Sequence, residues 1–135
     1  MPLLVDTGIL YALADRRDAW HRKVRAHLES ARQTLLAPVT ILPEVAYLLR
    51  DRIGAEAERV FVASVAKGEL AVEDIRRPDW VRAEALMGTY DELGLVDATI
   101  VAVAERLKLT HLATTDRRHF SVVRPAHAPT FTLLP

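Results

Sequence analysis

The sequence predicts an α/β domain, a three-layer α/β/α sandwich with a short, mostly parallel central sheet. Short apolar runs alternate with amphipathic stretches of helical spacing, the arrangement that gives a parallel sheet covered by helices. The first run, Leu3–Val5, is apolar at every position, as expected for a strand buried on both faces. The length of 135 residues, 50% of them hydrophobic, fits one domain spanning residues 1–135.

The first half of the chain is predicted to hold two strands and four helices. In order, these are strand 3–5, a turn at 7–8 followed by helix 9–13, helix 15–31, strand 34–37, helix 40–52 and helix 55–67. In the second helix Trp20, Val24 and Leu28 recur every four residues and form one narrow apolar stripe. Thr40 is a plausible N-cap for the helix that follows the second strand, and Gly68 ends the last of the four helices.

The second half is predicted to hold three strands and two helices. In order, these are strand 70–72, helix 78–90, a helix that begins at Asp97, strand 111–115 and strand 131–134. Residues 100–104 are all apolar, so the helix that contains them should be buried on nearly all sides.

Composition and charge exclude several classes of protein. The chain lacks cysteine, which excludes a disulfide scaffold, a thiolate metal site and a cysteine nucleophile. Eighteen basic and eighteen acidic residues give a formal net charge of zero, which argues against a polybasic coat for nucleic acid or membranes. Asp6 interrupts the N-terminal apolar run too early for a signal peptide, and no stretch is long enough to cross a bilayer. We expect a cytoplasmic protein with no membrane partner.

Four acidic residues occupy positions where ligands bind in parallel sheets. Asp6 and Asp116 end predicted strands, and Glu44 and Asp97 lie at or near helix starts that follow loops. Ligands bind beyond the carboxyl ends of such strands, so the four side chains are expected to converge. Clustered carboxylates repel one another unless a cation compensates, and hard oxygen ligands favour Mg²⁺ or Mn²⁺ over zinc.

Each acid taken singly also has a structural interpretation. Asp97 could serve only as a helix cap, Asp116 as a turn residue and Glu44 as a partner of its helix dipole. Asp6 is harder to explain in this way, because packing gives no reason for an acid directly after a buried strand.

Four segments that contain these acids resemble the PIN-domain family, and specifically the VapC-type ribonuclease toxins of toxin–antitoxin pairs. They are Leu-Leu-Val-Asp-Thr-Gly at 3–8, the isolated Glu44, Leu-Val-Asp-Ala-Thr-Ile-Val-Ala at 95–102 and Ala-Thr-Thr-Asp-Arg-Arg-His-Phe at 113–120. The resemblance extends over essentially the whole chain. It implies a Rossmann-like α/β/α fold and RNA hydrolysis that depends on Mg²⁺, with Mn²⁺ as a possible substitute.

The resemblance also implies roles for individual residues. Asp6 and Asp97 would be the principal metal ligands, and Glu44 and Asp116 would complete the catalytic acidic site. The hydroxyls of two supporting residues next to these acids would orient carboxylates or water; they are Thr7 and Thr115.

Basic residues beside the acids are candidates for contacts with RNA phosphates. Arg117 and Arg118 directly follow Asp116 and are the best placed, whereas the basic cluster at 16–27 is more simply a solvated helix face. The five histidines lack His-x-x-x-His spacing, so none is assigned to a metal. The apolar residues of helices 40–67 form either the chain's own core or, as in VapC-type toxins, a groove for an antitoxin protein. The resemblance further implies a homodimer.

Two other functions compete with a ribonuclease toxin. A phosphoacceptor receiver domain has similar length, but it needs an acidic pair after the first strand and a late lysine, and no lysine follows Lys108. A PIN-like domain that binds RNA or protein without catalysis is the other alternative, and the presence of all four acids argues against it.

Overall fold

Five short strands form one fully parallel sheet in a computed structural model that describes residues 1–135. The strands are β1 Leu3–Val5, β2 Leu35–Pro38, β3 Ala71–Glu73, β4 His111–Ala113 and β5 Thr132–Leu134. Their spatial order is β3-β2-β1-β4-β5, so the first strand of the chain lies at the centre of the sheet. The predicted α/β sandwich with a parallel sheet is confirmed.

Seven α-helices flank this sheet. They are α1 Thr7–Ala14, α2 His21–Ala31, α3 Leu42–Arg52, α4 Ala55–Ala66, α5 Arg77–Thr89, α6 Leu95–Leu107 and α7 Arg117–Val122. Helix α1 packs on α2 and α3, α3 packs on α4, and α5 and α6 form a closely packed pair. None of the seven combines the length and the apolar character that a bilayer crossing requires.

The core lies between the sheet and the two groups of helices. All three residues of β1 are fully buried, and α6 has a continuous buried run from Ala98 to Glu105, as the apolar stretch at 100–104 predicts. Helix α4 is the exception, because none of its residues is fully buried. It therefore rests on α3 at the edge of the molecule and leaves much of its apolar surface accessible.

A buried ionic network joins α5 and α6 to the end of β3. Arg106 on α6 donates to Asp79 at 3.0 Å and to Glu73 at 3.0 Å, and Asp79 is only 3% exposed. Asp79 also accepts the backbone N–H of Arg76 at 3.0 Å, which fixes the first turn of α5. Because the buried acid has several donors, its charge is compensated in place.

Several predicted boundaries are wrong, and each has a local cause. Residues 15–20 form turns instead of the start of α2, because Asp15 and Asp18 accept backbone N–H groups two residues ahead, from Arg17 and Trp20. Residues 39–41 form a short 3₁₀ helix before α3, so Thr40 is not an α-helix cap. Its hydroxyl instead meets the hydroxyl of Thr99 on α6 at 2.7 Å.

The second half of the chain has two further corrections. Helix α6 begins at Leu95 with Gly94 as its N-cap, which places Asp97 inside the first turn instead of at the cap. Strand β4 ends at Ala113, two residues earlier than predicted. Helix α7 was not predicted at all, because only Phe120 of its six residues is buried and an apolar period is absent.

Candidate metal centre

Asp6 ends the central strand and is the most buried of the four predicted acids. Its side chain is the N-cap of α1: Oδ1 accepts the backbone N–H of Ile9 at 3.0 Å. Oδ2 accepts the hydroxyl of Thr114, which itself accepts the backbone N–H of Asp116 at 2.8 Å. These contacts fix the carboxylate of Asp6 at the carboxyl edge of the sheet.

The environment of Asp6 disfavours its charge. Burial raises the pKa of Asp6 from 3.8 to about 6, although the hydrogen bonds from Thr114 and Ile9 oppose the increase. The negative charges of Asp97 and Asp116 raise the same pKa further, which shows that they lie near enough to repel Asp6. A buried carboxylate held in this way favours any cation that binds beside it.

Asp97 lies in the first turn of α6, where the charges of other acids of the site act on it. Burial raises the pKa of Asp97 to about 6, the charges of Asp116 and Glu44 add to the increase, and His119 opposes it. Asp97 therefore interacts electrostatically with three neighbours: Glu44 on α3, Asp116 at the N-cap of α7 and His119 on α7. The charges of Asp97 and Asp116 likewise disfavour the ionised form of Asp6.

Three side chains come close enough to share one ion. Asp97, Asp116 and His119 each present a potential ligand atom, and these atoms lie within 4.8 Å of one another. His119 Nδ1 is 2.7 Å from Asp116 Oδ2 and 3.6 Å from Asp97 Oδ2. Asp6 and Glu44 lie outside this group of three and border it. The donor set fits a divalent cation, because it brings together carboxylates that repel one another and a ring nitrogen.

Glu44 is exposed in the first turn of α3, where its charge also suits the helix N-terminus. The hydroxyl of Thr7, the first residue of α1, donates to Glu44 Oε1 at 2.6 Å. Thr7 thus orients one of the four acids, as the sequence interpretation proposed for a supporting residue.

The two adjacent threonines after β4 have different environments. Thr114 is fully buried and bonds Asp6, whereas Thr115 lies against α1. A Cβ placed on Gly8 would come within 2.2 Å of Thr115 Oγ1, so the absence of a side chain at Gly8 permits this approach. Thr115, named as a supporting residue from the sequence, packs on Gly8, and the hydroxyl that holds Asp6 belongs to its neighbour.

Arg117 and Arg118 are both exposed on α7. The Arg117 guanidinium donates to the carbonyl oxygen of Pro135, and Arg118 is 3.5 Å from Glu92. Both arginines belong to the same helix as His119, and Asp116 is the N-cap of that helix.

The family model of the PIN domain matches residues 3–124. The chain belongs to the PIN-domain family. A PIN domain, not a receiver domain, is therefore the framework in which the acids are interpreted.

Proteins similar to this PIN domain include one named as a ribonuclease, one named as a toxin and a toxin–antitoxin complex. Ribonuclease VapC26 of Mycobacterium tuberculosis is 28% identical over 98% of this chain and 100% of its own length. The crystal structure of VapC20 from Mycobacterium tuberculosis, a sarcin–ricin loop cleaving toxin, superposes with a TM-score of 0.77 at 24% identity, over 86% of this chain and 91% of its own. A toxin–antitoxin complex from Klebsiella pneumoniae gives a TM-score of 0.73 at 23% identity, over 96% and 99%.

Sequence reasoning missed two residues of this PIN domain site. The sequence pattern did not distinguish Thr114 from Thr115, because the residue at which β4 ends determines which of the two hydroxyls points at Asp6. His119 was not assigned to a metal, because the only spacing considered was between histidines. The signal that could have found it is the three-residue spacing from Asp116, which places both side chains on one face of a helical turn.

Proposed function

We propose that this PIN domain, residues 1–135, is a metal-dependent endoribonuclease that serves as the toxin of a toxin–antitoxin pair. The observation that carries the proposal is the group formed by Asp97, Asp116 and His119, whose potential ligand atoms lie within 4.8 Å of one another. Asp6 and Glu44 support it, because Asp97 and Asp116 repel Asp6 and Glu44 raises the pKa of Asp97. The name of the relative VapC26, ribonuclease, supports the reaction class. The four acids would hold Mg²⁺, with Mn²⁺ as a possible substitute, and Asp6 and Asp97 would be the principal ligands.

The residues of the site are suited to hold a cation and to position RNA. A bound divalent cation activates water and stabilises negative charge on a phosphodiester. The chain's own contribution is to keep the carboxylates in place: Thr114 and Ile9 hold Asp6, and Thr7 holds Glu44. The burial of Asp6 and the partial burial of Asp97 and Asp116 limit competing hydration and strengthen the interaction of these carboxylates with a cation.

RNA is the proposed substrate, and exposed arginines at the edge of the site support it. Arg117 and Arg118 lie on α7, next to Asp116, and their exposed guanidinium groups are suited to bind RNA phosphates. These cations offset the repulsion between the acids and the polyanion, so a chain of zero net charge still has a local attraction for RNA.

An antitoxin protein is the proposed partner, and the apolar surface of α4 supports it. A groove of about 230 Å³ between α1, α3 and α4 is lined by mostly hydrophobic side chains, Leu10, Leu49 and Phe61 among them. Val60 and Val62 on α4 are 53% and 56% exposed. Solved complexes of similar fold carry toxin–antitoxin titles, such as the one from Klebsiella pneumoniae. We therefore propose that the antitoxin covers this groove.

We also propose that the domain forms a homodimer. Helix α5 exposes three large apolar side chains on its outer surface: Trp80, Val81 and Met87. An apolar strip of this kind is a suitable self-complementary interface. Light scattering during gel filtration tests the proposal, and a mass of one chain at micromolar concentration would contradict it.

The activity test is cleavage of RNA by the purified protein. Total RNA is incubated with Mg²⁺ or with a chelator, and the new ends are mapped. We expect cleavage only with the metal, and a loss of at least about a hundredfold in Asp6→Asn and in Asp97→Asn. Asp51→Asn, at an exposed position on α3, is the matched control and should keep full activity.

Two outcomes of this assay would contradict the proposal. One is undiminished cleavage by both folded active-site variants. The other is that the wild-type protein binds RNA and cleaves none of it, which is the behaviour of the non-catalytic PIN-like alternative.

A further inference from the structure

We propose that His119 is a direct metal ligand beside Asp97 and Asp116, and that its nitrogen makes the centre prefer Mn²⁺ over Mg²⁺. The inference rests on the proposed metal-dependent function, and it concerns a residue that the all-carboxylate site does not include. It changes the expected cofactor from a magnesium ion held by oxygen atoms alone to a manganese ion with one nitrogen ligand.

The distances around His119 suit ligands of a single ion. An octahedral ion with bonds of about 2.1 Å has neighbouring ligand atoms about 3 Å apart and opposite ones about 4.2 Å apart. His119 Nδ1 lies 2.7 Å from Asp116 Oδ2 and 3.6 Å from Asp97 Oδ2. Both separations need changes of only a few tenths of an ångström to reach the spacing of adjacent ligands.

The local fold fixes the imidazole on this side of α7. Asp116 caps the helix and accepts the backbone N–H of His119 at 3.2 Å, so one turn holds both side chains. The next residue, Phe120, is fully buried in the core and prevents the helix from rotating about its axis. The ring of His119 is therefore presented to the carboxylates by packing and by the cap.

A carboxylate of the kind that metal-bound histidines use lies near the second ring nitrogen, beyond hydrogen-bond distance. His119 Nε2 lies 3.9 Å from Glu92 Oε2, and Arg118 lies 3.5 Å from the other oxygen of the same carboxylate. A ligating histidine usually donates its other ring N–H to a carboxylate, which sets the tautomer and the ring orientation. If Glu92 moved closer and accepted a hydrogen bond from the Nε2–H of His119, the ring proton would be held at Nε2. Nδ1 would then carry no proton and could bind the ion.

A nitrogen ligand changes which ion the centre prefers. Carboxylate and water ligands suit Mg²⁺, whereas imidazole suits the transition metals. Mg²⁺ gains little from replacing a water by imidazole, and Mn²⁺ gains more. His119 is thus expected to raise the affinity for Mn²⁺ selectively, while the carboxylates supply the affinity that both ions share.

The decisive measurement is the electron spin echo modulation of Mn²⁺ bound to the wild-type protein. A directly bonded imidazole nitrogen gives a ¹⁴N modulation, which changes when the protein is made with ¹⁵N-labelled histidine. We expect this signature in the wild type and expect it to vanish in His119→Gln. His111→Gln, an exposed histidine at the start of β4, is the matched control and should retain it.

Calorimetric titration with each metal alone tests the selectivity. His119→Gln should weaken Mn²⁺ binding at least about tenfold and change Mg²⁺ binding by less than about threefold. Bound Mn²⁺ without nitrogen modulation in the wild type would overturn the inference and leave the proposed nuclease intact. Equal losses for both ions would also overturn it, because a merely positioning histidine acts on both. A wild type that binds neither ion would contradict the proposed metal centre itself.

Discussion

Replacing Asp6 by Asn should stabilise the metal-free protein at neutral pH. The wild-type carboxylate is buried, repelled by Asp97 and Asp116, and has a pKa of about 6 in place of 3.8. Between these two pH values the folded state binds a proton that the unfolded state has released. The stability of the wild type therefore falls as the pH rises from about 4 to 6, and the loss is complete at pH 7.

The size of the effect follows from the shift in pKa. About two pKa units at 1.36 kcal/mol each correspond to roughly 3 kcal/mol of destabilisation at pH 7. An Asn side chain retains the acceptor for the Ile9 N–H but weakens the bond to Thr114, which costs about 1 kcal/mol. The net gain should be about 2 kcal/mol, or a rise in Tm of roughly 6 °C for a domain of this size.

The assay is urea denaturation in the presence of a chelator, at pH 7 and at pH 4. Asp6→Asn should be more stable than the wild type at pH 7. The gain should disappear at pH 4, because the folded chain is then protonated at Asp6 and the unfolded chain is about 40% protonated there, which leaves less than about 1 kcal/mol of the penalty. Asp51→Asn is the control for loss of an acid on the surface. A variant that is less stable at pH 7, or that keeps the same gain at pH 4, would refute the assignment of buried charge repulsion to Asp6.

Three further perturbations test other features of the fold and site. Gly8→Ala should lower the free energy of unfolding by about 1–3 kcal/mol, because the new Cβ would meet the Thr115 hydroxyl. In a double-mutant cycle measured by urea denaturation, Thr115→Ala should recover much of this loss, and additive effects of the two substitutions would contradict the close contact. Arg106→Met should lower the free energy of unfolding by about 3–5 kcal/mol, since it leaves buried Asp79 without its guanidinium partner. An unchanged denaturation midpoint would show that the ionic network contributes nothing to stability. Saturating Mn²⁺ should raise the Tm of the wild type and not that of Asp97→Asn; equal shifts would place the ion elsewhere.

Much of the fold could be predicted because it depends on local patterns. The strand at Leu3–Val5 is apolar throughout and the helix around Val101 is apolar on all sides, and the structure buries both. The elements that sequence misplaced are those whose formation depends on tertiary contacts. Helix α7 has no apolar period and is held by one buried ring, that of Phe120, and by its Asp116 cap.

The site was predictable in its acids and not in the groups that hold them. A carboxylate after a buried strand is conspicuous in a sequence, as Asp6 shows, because packing does not explain it. The choice between Thr114 and Thr115 depends on where β4 ends, and a one-residue shift reverses which hydroxyl faces the site. His119 comes near Asp97 and Asp116 only through the turn of α7, which the sequence pattern did not predict.

The edge strand β5 supports the acidic edge of the sheet from a distance. The backbone N–H of Thr114 donates to the carbonyl of Leu134 at 2.8 Å, and the hydroxyl of Thr114 holds Asp6. A nascent chain that ends before residue 132 already contains every acid of the site, yet it lacks the strand that braces Thr114. The position of Asp6 therefore depends on a strand that supplies no acid of its own, and removal of residues 132–134 should loosen the acidic edge without deleting any of its carboxylates.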